Sequence, residues 1–167
     1  DHGDQLRHRT NQGQLSDLPG HEALLKQQLA AIEALLTERG AYGHGLDEAY
    51  RDYGKLQFAS GNYQQAAAVF RQAWHISRIN HGLYSEPQLH HLNLLIEALI
   101  ELEQWDEVHD LHQLSFLIAS RAYPPHDVRY LLAAEFYTSW QWEAINSRLL
   151  PDEHSGTFER VQELSAF

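Results

Sequence analysis

Apolar residues return every three or four positions along most of this chain of 167 residues. Within 21–39, leucines and one isoleucine follow this spacing, which is typical of a helix with one buried stripe. The same periodicity predicts further helices over 47–59, 63–79, 87–102, 105–120 and 128–150. No segment alternates polar and apolar residues as a half-buried strand does. The pattern therefore predicts an all-α fold built from antiparallel helix hairpins.

Glycine, asparagine and aspartate mark the expected helix ends. We expect Gly40 to stop the first helix, and Gly61 with Asn62 to break the chain before the third. Asp47 and Asp127 are expected to cap the second and last helices, because a carboxylate oxygen can accept hydrogen bonds from the free N–H groups of a first turn.

The fourth and fifth predicted helices repeat the pattern of the second and third. Aligning Tyr63 with Trp105, each followed by two polar residues, sets a repeat of 42 residues. In the same register Ala66 aligns with Val108. Self-similarity with a fixed period indicates a repeat architecture, in which each unit buries its apolar face against its neighbours.

The first repeat carries small, small, aromatic and small residues at Gly54, Ala66, Phe70 and Ala73. With these residues, the segment 46–120 resembles the tetratricopeptide repeat (TPR) family, in the longer variant typified by kinesin light chains. The resemblance implies helix hairpins stacked as a short right-handed α-α superhelix, with Gly54 and Ala66 allowing the two helices of a hairpin to approach closely. The second repeat departs from the family pattern at Ile96, Glu103, His112 and Ser115.

This interpretation divides the chain into three parts. We expect a flexible leader over 1–19, a TPR-like helical domain over 20–150, and a tail over 151–167 that contains at most a short helix.

In the resembled family, the first helices of successive units line a concave groove that binds a peptide or protein partner. Arg51 and Lys55 lie one helical turn apart and are suited to receive a carboxylate of that partner. The resemblance therefore implies a non-catalytic protein–protein interaction scaffold. Matching by register places eight residues in the groove: Arg51, Asp52, Lys55, Phe58, Asn93, Leu94, Glu97 and Ile100.

Composition excludes several other functions. The chain has 23 acidic and 12 basic residues, a net charge of −11 that repels phosphate backbones, so nucleic acid is a poor partner. Its apolar runs are far shorter than the roughly 20 residues that span a bilayer. Cysteine is absent, and neither a nucleophile elbow nor a phosphate-binding loop occurs. We therefore expect no membrane insertion, no enzymatic activity and no cofactor.

Twelve histidines leave metal or ligand binding as an alternative function. His109 and His112 lie three residues apart, Asp106 lies one turn earlier, and His90 and His91 lie on the preceding helix. However, adjacent histidines point to different helix faces, and the sequence lacks the usual metalloprotein motifs. We therefore favour structural or solvated histidines and expect no metal.

A self-associating structural subunit is the third hypothesis. Trp140 and Trp142 are two residues apart and cannot share one narrow helix face, so one of them is expected at an exposed or homodimer surface. The sequence contains neither methionine nor cysteine, which favours an exported, periplasmic bacterial protein over the cytoplasmic alternative.

Overall fold

The computed structural model describes residues 19–150, and within them it contains six α-helices and no strand. The all-α prediction is confirmed for this part of the chain. The predicted leader, apart from Pro19, and the predicted tail lie outside the described residues. The helices are α1 (Pro19–Arg39), α2 (Leu46–Ala59), α3 (Tyr63–His81), α4 (Gln88–Glu101), α5 (Trp105–Ala122) and α6 (Val128–Asn146).

The helices belong to two compact units. The first unit ends at Glu103 and contains α1 to α4, and the second begins at Gln104 and contains α5 and α6. In the first unit each helix packs against the next one along the chain, and in the second unit α5 packs against α6. The second predicted hairpin would join α4 to α5, one helix from each unit, and it stays a prediction.

Two of the predicted helix ends are confirmed. Gly40 follows α1 with a φ of +77°, and its N–H donates to the Leu36 carbonyl over 3.0 Å, as expected of a glycine that closes a helix. Asp127 caps α6, since its carboxylate accepts a 2.8 Å hydrogen bond from the backbone N–H of Arg129.

The capping role predicted for Asp47 is wrong. Helix α2 begins one residue earlier, at Leu46, and Gly45 precedes it with a left-handed φ of +85°. Leu46 itself is fully buried in the core of the first unit, and the helix begins at this buried residue rather than at residue 47. Asp47 consequently lies within the first turn, where it is buried.

The core shared by α1, α2 and α3 centres on Ile32, Leu46 and Ile76, which are all buried. The predicted stripe of α1 contributes to this core only through its C-terminal half. Leu24 and Leu29 belong to the same stripe by spacing but remain exposed.

Helices α2 and α3 form a tight pair. A Cβ atom built on Gly54 would lie 2.5 Å from Cε1 of Phe70, so the space beside the glycine is filled by that ring. Phe58 and Tyr63, nearer the turn, pack edge to face with ring centroids 5.1 Å apart. These two contacts pair residues on either side of the turn, as in an antiparallel hairpin. The nearest atoms to Gly54 thus belong to Phe70, and Ala66 is fully buried on the same helix as that ring. The close approach between Gly54 and Ala66 stays a prediction.

The turn of this hairpin has a counterpart 42 residues later. Gly61 has a φ of +75°, and Glu103 at the corresponding position has a φ of +55°. The residues that follow also agree: Asn62 has φ and ψ of −82° and 58°, and Gln104 has −88° and 66°. The sequence alignment thus pairs two turns with the same backbone conformation, although the second has no glycine.

Aromatic rings fill the space between α5 and α6. Phe116 stacks on Tyr137 with ring centroids 5.2 Å apart and nearly parallel planes. Trp140 is buried, whereas Trp142 is 67% exposed. The prediction that these two tryptophans face different environments is therefore confirmed.

Candidate partner-binding face

A buried polar pair joins α2 to α4 in the first unit. Nε2 of His91 lies 3.4 Å from Oδ2 of Asp47, and both residues are less than a tenth exposed. Burial lowers the pKa of His91, and the Asp47 carboxylate opposes this effect without reversing it. The imidazole is therefore neutral near pH 7 and donates its Nε2–H to the carboxylate. This contact ties the first turn of α2 to the first turn of α4.

Three of the eight predicted groove residues meet a histidine beside this pair. Burial is the main cause that lowers the pKa of His90, and the positive charges of Lys55 and Arg51 lower it further, against the opposing charge of Asp52. These effects place the charged side chains of α2 next to the first turn of α4. We define the α2–α4 face as Arg51, Asp52, Lys55, His90 and Asn93.

The two predicted cations of this face differ in their availability. Nε of Arg51 donates a 3.0 Å hydrogen bond to Oδ1 of Asp52, so part of its guanidinium is already engaged. Lys55 is exposed. Lys55 is therefore the more open cation, and the Arg51 guanidinium is partly occupied by the neighbouring carboxylate.

Asn93 lies on α4 three residues after His90, on the same side of the helix. Its side chain is half-buried, and its Oδ1 atom is buried without a hydrogen-bond partner. Leaving such an acceptor unsatisfied costs about 1–3 kcal/mol.

The other four predicted residues are not joined to this cluster by any polar or aromatic contact described for 19–150. Phe58 packs on Tyr63, and Leu94 is half-buried on α4. Glu97 and Ile100 are exposed further along the same helix. Of the eight predicted residues, the structure thus associates Arg51, Asp52 and Lys55 with one another and with His90.

Sequence reasoning missed the roles of Asp47 and His91. A signal was present, because Asp47 lies seven residues before the buried Gly54, and His91 lies four and seven residues before the buried Leu95 and Ala98. Such spacings place each polar residue on the buried side of its helix. Their mutual contact joins positions 44 residues apart, and no local pattern predicts it.

His109 and His112 of the second unit have structural roles. Nδ1 of His109 accepts a 3.2 Å hydrogen bond from the indole N–H of Trp140, and the Gln113 amide lies 2.8 Å from its Nε2. His112 stacks on Trp140 with centroids 5.0 Å apart, and burial, with a smaller effect of His109, lowers its pKa to about 4. Within residues 19–150, no group of three histidines or acidic residues is arranged to hold a metal ion.

A second surface of the first unit is basic. A cavity of about 500 Å³ opens along α3 beside Arg71, Trp74, His75 and Arg78. Helix α3 carries no acidic residue. Because its guanidinium groups are exposed but belong to a different helix from the α2–α4 face, they provide a matched comparison for charge substitutions.

Comparison with protein-family models, with curated proteins and with solved structures finds no match to this chain. Among the described residues, no helix combines the length and apolar character needed to cross a membrane.

Proposed function

We propose that this protein is a non-catalytic scaffold that binds a peptide or an extended segment of another protein across α2 and α4, as part of a TPR-like helical array. The observation that carries the proposal is the 3.4 Å contact of Asp47 with His91, which joins the first turns of α2 and α4. Arg51, Asp52 and Lys55 of α2 influence the pKa of the adjacent His90, in keeping with this arrangement. The shared turn conformation at Gly61 and Glu103 supports the repeat on which the array is based.

The chemistry of the face suits a segment of mixed character. Lys55 can pair with a carboxylate of the partner, and Arg51 can add hydrogen bonds from the part of its guanidinium that Asp52 leaves open. The Asp52 carboxylate can accept a hydrogen bond from an amide N–H of the partner. Since Asp52 stands within the same face, a partner that carries both carboxylate and amide groups fits better than a purely acidic one.

Selection of peptides from a random library against the full chain, followed by fluorescence anisotropy, tests this proposal. We expect the Arg51→Ala, Lys55→Ala double variant to bind the selected peptides roughly 10- to 100-fold more weakly than the wild type, because it removes both cations of the face.

The matched control is the Arg71→Ala, Arg78→Ala double variant, which removes two exposed guanidinium groups from α3. It should bind within about two-fold of the wild type, because it changes the net charge equally but leaves the face intact. Equal losses in both variants, or no peptide enriched by the wild type, would refute the proposal.

A further inference from the structure

The outer side of α6 is apolar and exposed. On the opposite side of the helix, Trp140 and Ala144 are buried against the second unit. Exposed polar residues such as Glu135 and Glu143 also lie on the outer side, between the large apolar ones. Six large apolar residues, each between 44% and 67% exposed, form this outer side: Val128, Leu131, Leu132, Phe136, Trp142 and Ile145.

The size of this patch matches half of a dimer interface. Six such side chains at this exposure present on the order of 600 Å² of apolar surface, which is at the upper end of what a monomer usually exposes. Two copies of the patch in contact would bury about 1,200 Å², the lower end of the range for specific and stable interfaces.

Four residues of the patch fit the spacing of a coiled-coil seam: Val128, Leu131, Trp142 and Ile145. Positions 128, 131, 135, 138, 142 and 145 follow one another at intervals of three and four residues, as the a and d positions of a heptad repeat do. Both ends of this seam are apolar, and Glu135 and Thr138 lie at its centre. The order of intervals reads the same in both directions.

Charge selects the orientation of the two helices. In a parallel pair, Glu135 would face the partner's Glu135, and the like charges would repel each other. In an antiparallel pair, Glu135 faces the partner's Thr138, so this repulsion is absent. Antiparallel packing also places Val128 against the partner's Ile145, and Leu131 against the partner's Trp142.

The positions that flank the seam are compatible with self-association despite the net charge of −11. In an antiparallel coiled coil, these positions face one another across the interface. They are uncharged along the middle of α6: Leu132, Ala134, Ser139 and Gln141.

We propose that α6 is the interface of a homodimer in which two copies of this helix pack antiparallel about a point between Phe136 and Tyr137. The partner that this surface fits is a second copy of the chain, because the seam is complementary to itself when reversed. The proposal rests on α6 alone and does not depend on the α2–α4 face.

Sedimentation velocity of the full chain tests the interface. Concentrations from about 1 to about 100 µM cover the range in which many homodimers dissociate. The wild type should sediment at twice the chain mass of 19.3 kDa. Trp142→Glu and Leu131→Lys should each raise the dimer dissociation constant about 100-fold or more, because each places a charge in the seam.

Mixing the two variants provides the sharper readout. In the mixed dimer, the lysine at 131 faces the glutamate at 142, and the other 131–142 contact is that of the wild type, so dimers should reappear. Leu83→Glu is the matched control, because Leu83 is 56% exposed and lies outside α6, and this variant should remain dimeric. Circular dichroism of each variant shows whether the helices are retained.

Disulfide formation between engineered cysteines distinguishes antiparallel from parallel packing of the two α6 helices, since the chain has no cysteine of its own. A mixture of Glu135→Cys and Thr138→Cys chains should form a disulfide-linked heterodimer under mild oxidation, whereas Glu135→Cys alone should not. A wild type that sediments at 19.3 kDa at the highest concentration would overturn the proposal. So would dimers that persist in both charged variants, or efficient linkage of Glu135→Cys alone.

Discussion

Gly54 is the position where α2 and α3 leave no room for a side chain. The Cβ of an alanine there would lie 2.5 Å and 2.7 Å from two ring carbons of Phe70, a residue only 1% exposed. Because the ring is confined, we expect Gly54→Ala to lower the free energy of unfolding by about 1–3 kcal/mol. Urea denaturation followed by circular dichroism measures this change.

Gly20→Ala is the matched control, because Gly20 is also helical and a Cβ there meets nothing within 4 Å. It should change the stability by no more than about 1 kcal/mol, and in the stabilising direction. Combining Gly54→Ala with Phe70→Leu should cost less than the sum of the two single changes. Full additivity would show that the ring is not the obstacle.

His112 couples the stability of the second unit to pH. Its pKa is about 4 in the folded protein, against about 6.5 for an ordinary histidine, so between these values the unfolded state binds more protons. The stabilisation is therefore complete above about pH 6.5 and is lost as the pH falls towards 4. His112→Phe should keep the stacking on Trp140 and remove this dependence.

We expect the loss of unfolding free energy between about pH 7 and pH 4.5 to be smaller in His112→Phe than in the wild type, by on the order of 2 kcal/mol. Urea denaturation at several pH values, followed by tryptophan fluorescence, gives both curves. If the unfolding free energies of the two proteins changed with pH in parallel, His112 would not be the source of the pH dependence.

The link between α2 and α4 depends on the buried pair of Asp47 and His91. Replacing either partner by alanine leaves the other buried without its hydrogen bond, which should cost about 1–3 kcal/mol. A double-mutant cycle should give a coupling free energy of about 0.5–1.5 kcal/mol, because a 3.4 Å contact is long for a charge-assisted hydrogen bond. Coupling near zero would show that the two residues do not interact in solution.

The two matched turns predict opposite effects of substitution. Glu103 adopts a left-handed φ that glycine accepts more readily, so Glu103→Gly should stabilise the protein by about 0.5–1 kcal/mol. Gly61→Ala should destabilise it by a similar amount, since Gly61 has the same conformation. Thermal unfolding measures both changes, and equal signs would refute the equivalence of the turns.

Helix positions could be read from the sequence because the signals are local. Apolar periodicity and Gly40 mark α1, and Asp127 marks the start of α6. Gly40 and Asp127 each lie next to the helix end that they mark. The partners of Gly54 and Asp47 could not be predicted, because Phe70 and His91 meet them only after helices pack. For the same reason the sequence placed the α2 cations in a groove but did not identify His90 beside them.

Across the whole molecule, two surfaces carry the proposed roles. The α2–α4 face in the first unit has polar groups for a partner segment, and the outer side of α6 in the second unit has an apolar seam for a second copy. The face has hydrogen-bonding groups and both signs of charge, whereas the seam is largely uncharged. Binding of a partner and self-association therefore use different chemistry and can be tested separately.

The most direct measurement of the binding claim is a titration of ¹⁵N-labelled protein with a selected peptide, followed by amide chemical shifts. The largest changes should cluster at 51–58 and 90–100, the ranges that contain the predicted groove residues of α2 and α4. The binding claim would be contradicted if those amides stayed unperturbed while the changes fell at 71–78 on α3 or at 128–145 on α6.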